Sequence, residues 1–118
     1  MEGYKKIARE VLREKIVDRE SNFTLIEVLP KADYQSGHLP QSINIPLDDL
    51  RLMVPRLMPN LYEDIVVYGT GRDGDISAQA AELLVRMGYK NVKDYAGGKS
   101  DWVSAGLPVE GDYEHRAA

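Results

Sequence analysis

The chain of 118 residues contains no cysteine. Disulfide frameworks, thiolate metal sites, iron–sulfur clusters and every mechanism with a cysteine nucleophile need a residue that this sequence does not provide. The two histidines, His38 and His115, stand far apart and cannot form a zinc motif at helical spacing. We therefore expect no metal site and no cofactor.

Long apolar runs are also missing, since none approaches the roughly 20 residues that a membrane span needs. The N-terminal segment is charged and amphipathic and carries no signal-peptide core. In the whole chain, 15 Lys and Arg residues are outnumbered by 19 Asp and Glu, which gives a net charge of -4 and no basic stripe. We expect a cytoplasmic protein that binds neither a membrane nor nucleic acid.

The length of the chain and its content of 43% hydrophobic residues predict one ordinary globular domain over residues 1–118. A chain of this length removes roughly 65% of its unfolded surface from water, so no metal or disulfide is needed for folding. We expect the core to extend over about residues 4–110 and residues 111–118 to form a flexible tail.

Hydrophobic periodicity predicts alternating helices and strands in the first half of the chain. A buried strand is expected over residues 23–29, ended by Pro30, and a short strand over 42–45. Residues 47–57 have a helical pattern that Pro55 should end or kink. Before these elements, one helical stripe collects five residues of the N-terminal segment: Tyr4, Ile7, Ala8, Val11 and Leu12.

The second half of the chain continues the alternation. A strand is expected over residues 65–68, then a polar glycine-rich loop, then a long helix that Asp75 or Ser77 can cap and that ends before Gly88. A strand at 92–95 leads to a short helix around Trp102. The expected inner face of the long helix consists of Ile76, Ala80, Leu83, Leu84 and Met87.

Strands that alternate with helices through short connections indicate an α/β fold with a parallel sheet and helices on both faces. Ligands of such sheets bind beyond the carboxyl ends of the strands. The glycine-rich loop lies at this edge.

Two parts of the sequence resemble the signatures of rhodanese domains. Residues 25–28 and then 34–46, which include Gly-His-Leu-Pro-Gln-Ser, are similar to a strand ending in Asp followed by Gly-His-Ile-Pro-Gly-Ala. The second part comprises the strand and loop from residue 65, then 77–84, 88–92, Gly97-Gly98, Trp102 and 105–108. The resemblance covers nearly the whole chain and implies a rhodanese-like open parallel sheet of about five strands.

Rhodanese domains transfer sulfur through a persulfide on a loop cysteine, and the resemblance places that cysteine at Gly69 or, for loops of the Asp-Cys-x-x-Ser type, at Gly74. Neither glycine can accept sulfur, and serine and threonine oxygens form no persulfides. The resemblance assigns the active-site loop to residues 69–77: Gly69, Thr70, Gly71, Arg72, Asp73, Gly74, Asp75, Ile76 and Ser77.

Other departures from the family concern charge. The first strand often ends Asp-x-Arg in the family, whereas this chain has Glu27 and Leu29, and the arginine before the loop's helix is replaced by Ile76. Within the loop, Arg72 is outnumbered by two aspartates. We expect a site that has lost its cations, because an anion cradle needs nearby positive charge as well as backbone donors.

Two further residues support the candidate site. Glu27 is expected to accept bonds from backbone donors at the strand end, or alternatively to be a functional acid whose pKa is raised by burial. His38 is expected to orient the turn before Pro40 through hydrogen bonds, with a role as general base as the alternative. Trp102 is expected in the core.

Three functions are compatible with this pattern. The first is a catalytically silent module that binds an unknown protein partner or a small anion at the loop edge. The second is a sulfurtransferase whose cysteine has been replaced, by evolution or in the laboratory. The third is a phosphatase-like enzyme of the related type, which would also need a loop cysteine and arginine.

Overall fold

A computed structural model describes residues 3–18, 22–71 and 75–111. Its strands are β1 (Lys5–Lys6), β2 (Phe23–Glu27), β3 (Ser42–Asn44), β4 (Asp64–Tyr68) and β5 (Asn91–Tyr95). Its helices are α1 (Arg9–Val17), α2 (Lys31–Ser36), α3 (Leu50–Leu57), α4 (Ile76–Arg86) and α5 (Gly98–Ser104), with a 3₁₀ turn at Leu47–Asp49 before α3.

The five strands form one parallel sheet in the order β1-β5-β4-β2-β3. Strand β4 lies at its centre and consists of Ile65, Val66 and Val67 between two more polar ends, all three fully buried. A strand buried on both faces needs such an apolar run because helices cover it from both sides. The predicted α/β fold with a parallel sheet is confirmed.

The two faces of the sheet carry separate hydrophobic clusters. Residues of α3 and α4 pack on one face with Ile26, Ile65 and Val67. Residues of α1 and α5, including Trp102, pack on the other face with Leu25 and Val66. Helices therefore cover both faces, as the sequence predicts, and Trp102 lies in the core at 1% exposure.

The first predicted helix begins too early. Residues 5 and 6 form β1, which pairs with β5, and the Ile7 amide donates to the Asp94 carbonyl, so α1 starts only at Arg9. The predicted stripe is wrong in most of its members. Tyr4 and Ile7 lie before α1, Ala8 is its exposed N-cap residue, and Val11 is 49% exposed, because the inward face of this helix is defined by Leu12 and Ile16. Pairing along the sheet edge outweighs the helical periodicity of this segment.

Two other elements differ from the prediction. Helix α2 was not predicted from the sequence, because this short element has no buried residue and hence no apolar stripe. Pro55 lies inside α3, which continues for two residues before it ends at Leu57. A proline this close to the end of a helix removes one backbone bond without preventing the last turn.

The long helix α4 agrees with the prediction. Ala80 and Leu84 are fully buried, and Ile76, Leu83 and Met87 pack against the same cluster. Gly88 follows with a φ of 104°, the left-handed conformation that favours glycine at a helix end. The predicted tail at 111–118 lies outside the described residues except for Gly111, and no described helix is long and apolar enough to cross a membrane.

Candidate functional site

The carboxyl ends of three strands meet at one edge of the sheet. Glu27, Tyr68 and Tyr95 are the last residues of β2, β4 and β5, and they are register partners across the sheet. The glycine-rich loop follows Tyr68 directly. We call this side of the molecule, with the loop and the start of α5, the loop edge.

Glu27 is fully buried and is held by two side chains. The Tyr68 hydroxyl donates to Oε1 at 2.8 Å, and the Lys99 ammonium donates to Oε2 at 3.1 Å. Burial raises the pKa of Glu27, while Lys99 and Tyr68 oppose this shift. The direction of the pKa shift agrees with the prediction, while a role of Glu27 as a functional acid stays a prediction. The two donors to its carboxylate described above are side chains and not the expected backbone amides.

The Tyr68 hydroxyl extends this contact towards β3. It accepts the Leu39 amide at 3.1 Å and lies 3.1 Å from the Ser42 hydroxyl, which donates to the Leu39 carbonyl at 2.7 Å. Burial and the carboxylate of Glu27 raise the pKa of Tyr68, so this hydroxyl stays protonated and acts as a donor. The network fixes Glu27 within the core.

Lys99 is a cation of the site that was not predicted from the sequence. It lies in the first turn of α5, and its ammonium donates to Glu27 and to the Asp33 carbonyl at 2.8 Å, while its backbone amide donates to the Gly69 carbonyl at 2.9 Å. The expectation that the site has lost its cations is therefore wrong for the loop edge. The sequence did contain an indication of its position. Lys99 directly follows Gly97-Gly98, and these glycines place the start of α5 at the carboxyl end of β5.

The loop backbone packs directly against the start of α5. Gly71 has a φ of 87°, and a Cβ there would collide with the Gly97 carbonyl oxygen. A Cβ on Gly98 would lie 2.7 Å from the Gly69 carbonyl oxygen. The Ser100 amide also donates to the Thr70 carbonyl at 2.8 Å. These glycines are required because two backbones approach each other without room for side chains.

Space is also restricted at Gly69, one of the two positions that the resemblance gives for the cysteine. A Cβ built on Gly69 would lie 2.5 Å from Cγ2 of Ile76. A larger residue at Gly69 therefore requires Ile76 to move. The other position, Gly74, lies outside the described residues together with Arg72 and Asp73.

The start of α4 differs from the capping prediction. Asp75 occupies the N-cap position, but within the described residues its side chain makes no capping bond. Its carboxylate instead accepts the Gln79 side-chain amide at 3.1 Å, since the two residues are four positions apart. Ser77 is buried in the first turn at 5% exposure.

His38 lies in the turn that leads to β3. Its Nδ1 is 2.7 Å from the Tyr34 carbonyl, its ring stacks on Tyr34 at 3.7 Å, and its backbone pairs with Glu110. Its Nε2 lies 3.9 Å from Oε1 of Glu110. These contacts support the expectation that His38 orients the turn.

Comparison with protein families gives a match over residues 8–105 to the Rhodanese-like domain. The chain belongs to the rhodanese-like domain family. The structure of a rhodanese-like domain from Anabaena aligns with a TM-score of 0.81 at 30% identity, over 94% of this chain and 82% of that one. The sequence resemblance and the fold class are confirmed.

Curated relatives of this rhodanese-like domain include sulfurtransferases. Thiosulfate sulfurtransferase PspE of Escherichia coli is 36% identical, over 64% of this chain and 70% of its own. The adenylyltransferase and sulfurtransferase UBA4 of Candida albicans is 33% identical over 74% of this chain. The chain spans only 21% of the length of that fungal relative.

Proposed function

We propose that this rhodanese-like domain does not transfer sulfur and acts instead as a binding or regulatory module whose loop edge contacts a protein partner. The observation that carries the proposal is the absence of cysteine from the sequence, with glycine at both positions that the resemblance offers for the nucleophile. A persulfide forms on a thiol, and no side chain in this sequence has a thiol.

The packing of the loop supports a binding role. Bonds from the α5 amides of Lys99 and Ser100 to the carbonyls of Gly69 and Thr70 hold the loop without any contribution from a nucleophile. The backbone of residues 69–71, the part of the loop before Arg72, is therefore held against α5, and a backbone that moves little is typical of pre-organised interfaces.

Charge suggests the chemistry of the partner surface. The Lys99 ammonium is neutralised by Glu27, whereas Asp75 is exposed and Asp73 precedes it in the sequence against Arg72. A partner surface that carries Lys or Arg would complement this edge. We keep a cytoplasmic location and no nucleic-acid partner as parts of the same proposal.

The first experiment measures thiocyanate release by the purified chain with saturating thiosulfate and cyanide, and the parallel reaction with mercaptopyruvate. We expect no turnover above a buffer blank. Turnover that survives repurification would refute the proposal, because contamination would then be excluded.

A second experiment distinguishes the alternative of a sulfurtransferase that has had its cysteine replaced. Gly74→Cys should give a thiol that reacts with iodoacetamide near neutral pH, because a helix N-terminus stabilises a thiolate. Gly69→Cys should react more slowly, since its Cβ would lie 2.5 Å from Ile76. Sulfur transfer by Gly74→Cys would favour the alternative, and a faster thiol at residue 69 would show that the cysteine position is assigned incorrectly.

A further inference from the structure

A basic cleft lies at the amino end of the sheet, at the opposite ends of the strands from the loop edge. It is a cavity of about 350 Å³ between the start of β1 and the start of β5. Its lining residues are Gly3, Tyr4, Lys5, Lys90, Asn91, Val92 and Lys93. Three of these side chains are cationic, and among the described lining residues none carries a carboxylate, which contrasts with the net charge of -4 for the whole chain.

We propose that this basic cleft, formed by Lys5, Lys90 and Lys93, binds the phosphate group of a small ligand. Lysine ammonium groups bind phosphate as point charges. The volume of the cavity lies within the range of small-molecule sites. No local sequence pattern predicts the cleft, because Lys5 is far from Lys90 and Lys93 along the chain and meets them only through the pairing of β1 with β5.

The strand register places two of the cations opposite each other. Lys5 and Lys93 are direct partners in the parallel pairing of β1 with β5. Like charges at directly opposed positions of a sheet repel each other. A bound anion would relieve this repulsion, whereas no comparable gain is expected for a neutral ligand.

The carboxylate of Asp64, which bonds the cleft residue Lys93, is shared between two lysines. Asp64, at the start of β4, accepts Lys93 at 2.9 Å through Oδ1 and Lys15 at 2.8 Å through Oδ2. Burial raises the pKa of Asp64, but the bonds from these two lysines outweigh that effect and hold its pKa below the usual value, so the carboxylate stays ionised. One negative charge thus serves two ammonium groups, and the carboxylate of Asp64 bonds neither Lys5 nor Lys90.

The other two cations are available to a ligand. Across residues 3–18, 22–71 and 75–111 the ammonium groups of Lys5 and Lys90 have no hydrogen bond or ion pair, and both side chains are exposed. Lys93 is half-buried and fixed by Asp64, so it provides a positioned charge at the wall of the cleft. An anion in the cleft would meet two exposed cations, Lys5 and Lys90, and one cation that Asp64 holds in place, Lys93.

The test is a titration of the isotope-labelled chain with inorganic phosphate at constant ionic strength. The chemical shifts of the backbone amides, measured by NMR, monitor the titration. We expect the amides of Lys5 and of residues 90–93 to shift and to saturate with a dissociation constant below about 5 mM. A parallel arm with a nucleoside monophosphate identifies the source of the phosphate group. Tighter binding of the nucleotide indicates a nucleotide site, and equal binding indicates a site for phosphate itself; both support the proposal.

Variants assign the effect to the cleft. Lys5→Ala combined with Lys90→Ala should weaken binding by about tenfold, since each lysine contributes an exposed ionic contact. Lys31→Ala is the matched control, because Lys31 is an exposed lysine on α2 at the other end of the sheet. Shifts that do not saturate, shifts confined to the loop edge, or a double variant that titrates like Lys31→Ala would overturn the proposal.

Discussion

The ammonium nitrogen of Lys99 lies 3.1 Å from Oε2 of Glu27, whose side chain is completely buried. The bond joins α5 to the end of β2, two elements that are far apart in the sequence. A buried carboxylate without a cation is costly, because the low-dielectric interior does not replace its hydration. The relationship therefore makes Lys99 a stabilising residue as well as part of the loop edge.

Lys99→Met should lower the free energy of unfolding by about 2 kcal/mol at neutral pH, less than a fully buried pair would lose, because Lys99 keeps 18% exposure. Urea unfolding followed by circular dichroism measures the change. Lys31→Met, which removes an exposed lysine, should change stability by less than about 0.5 kcal/mol. Adding Glu27→Gln to Lys99→Met should recover part of the loss; a double variant as unstable as the sum of both single variants would contradict this explanation.

The pH dependence of stability should contain a contribution from Glu27. Burial raises the pKa of Glu27 in the folded chain above the usual 4.5, despite the opposing effects of Lys99 and Tyr68. The folded state then keeps this proton to a higher pH than the unfolded state. The contribution of this proton to the free energy of unfolding is fully present below pH 4.5, and it is lost as the pH rises through the pKa of Glu27 in the folded chain.

Glu27→Gln removes this titration, so the stability of the variant relative to the natural chain should rise with pH across that interval. Unfolding curves at a series of pH values from below 4.5 to neutrality measure the difference. Glu82→Gln serves as the control, since Glu82 is an exposed residue of α4. A difference between Glu27→Gln and the natural chain that stays constant with pH would show that Glu27 does not titrate in this way.

Packing of the loop against α5 predicts unequal effects of two alanine substitutions. Gly98 and Gly106 both have positive φ values, 64° and 78°. A Cβ on Gly98 would lie 2.6 Å from the Gly71 nitrogen, whereas a Cβ on Gly106 would have no atom within 4 Å. Gly106→Ala should lower the free energy of unfolding by about 1 kcal/mol, because alanine disfavours the left-handed backbone conformation.

Gly98→Ala should lower the free energy of unfolding by more than about 3 kcal/mol, because the backbone atoms of residues 69–71 must also move away from the new Cβ. Urea unfolding of the two variants provides the comparison. Equal losses would mean that the contact between Gly71 and Gly98 is looser than the structure shows.

Much of the fold follows from local sequence patterns. The strands β2 and β4 contain apolar runs of the kind that a two-sided parallel sheet requires, and α4 has a clear helical stripe. Strand β1 is different, because its two lysines carry no apolar signal and the strand exists only through its pairing with β5. Tertiary pairing of this kind is absent from any local pattern.

The site could be predicted only in part for a related reason. Glu27 and the loop lie next to recognisable motifs, but Lys99 reaches Glu27 across 72 positions of the sequence. Gln41 illustrates the same limit, since it adopts a φ of 69° where the family signature has glycine. Its side chain donates to the Ile16 carbonyl at 2.9 Å, a contact that no local pattern reveals.

The loop edge itself should bind small anions poorly. The N-terminus of α4 favours an exposed anion by about 0.3–1 kcal/mol. Asp75 at the N-cap position, with Asp73 before it, opposes an anion by roughly 1 kcal/mol or more for each carboxylate at surface dielectric. Among the described residues of this edge, the Lys99 ammonium is already neutralised by Glu27. Repulsion therefore exceeds the attraction of the helix terminus.

We expect sulfate and thiosulfate to bind at the loop edge more weakly than about 1 mM, which corresponds to less than roughly 4 kcal/mol. A sulfate titration at constant ionic strength, followed through the amides of Gly71, Asp75 and Ser77, measures this affinity. Glu27→Gln should strengthen binding, because it leaves the Lys99 ammonium without its counter-charge. Saturation of these amides at micromolar sulfate in the natural chain would show that an anion site persists, and the loop edge would then be a site for small anions rather than for a basic protein surface.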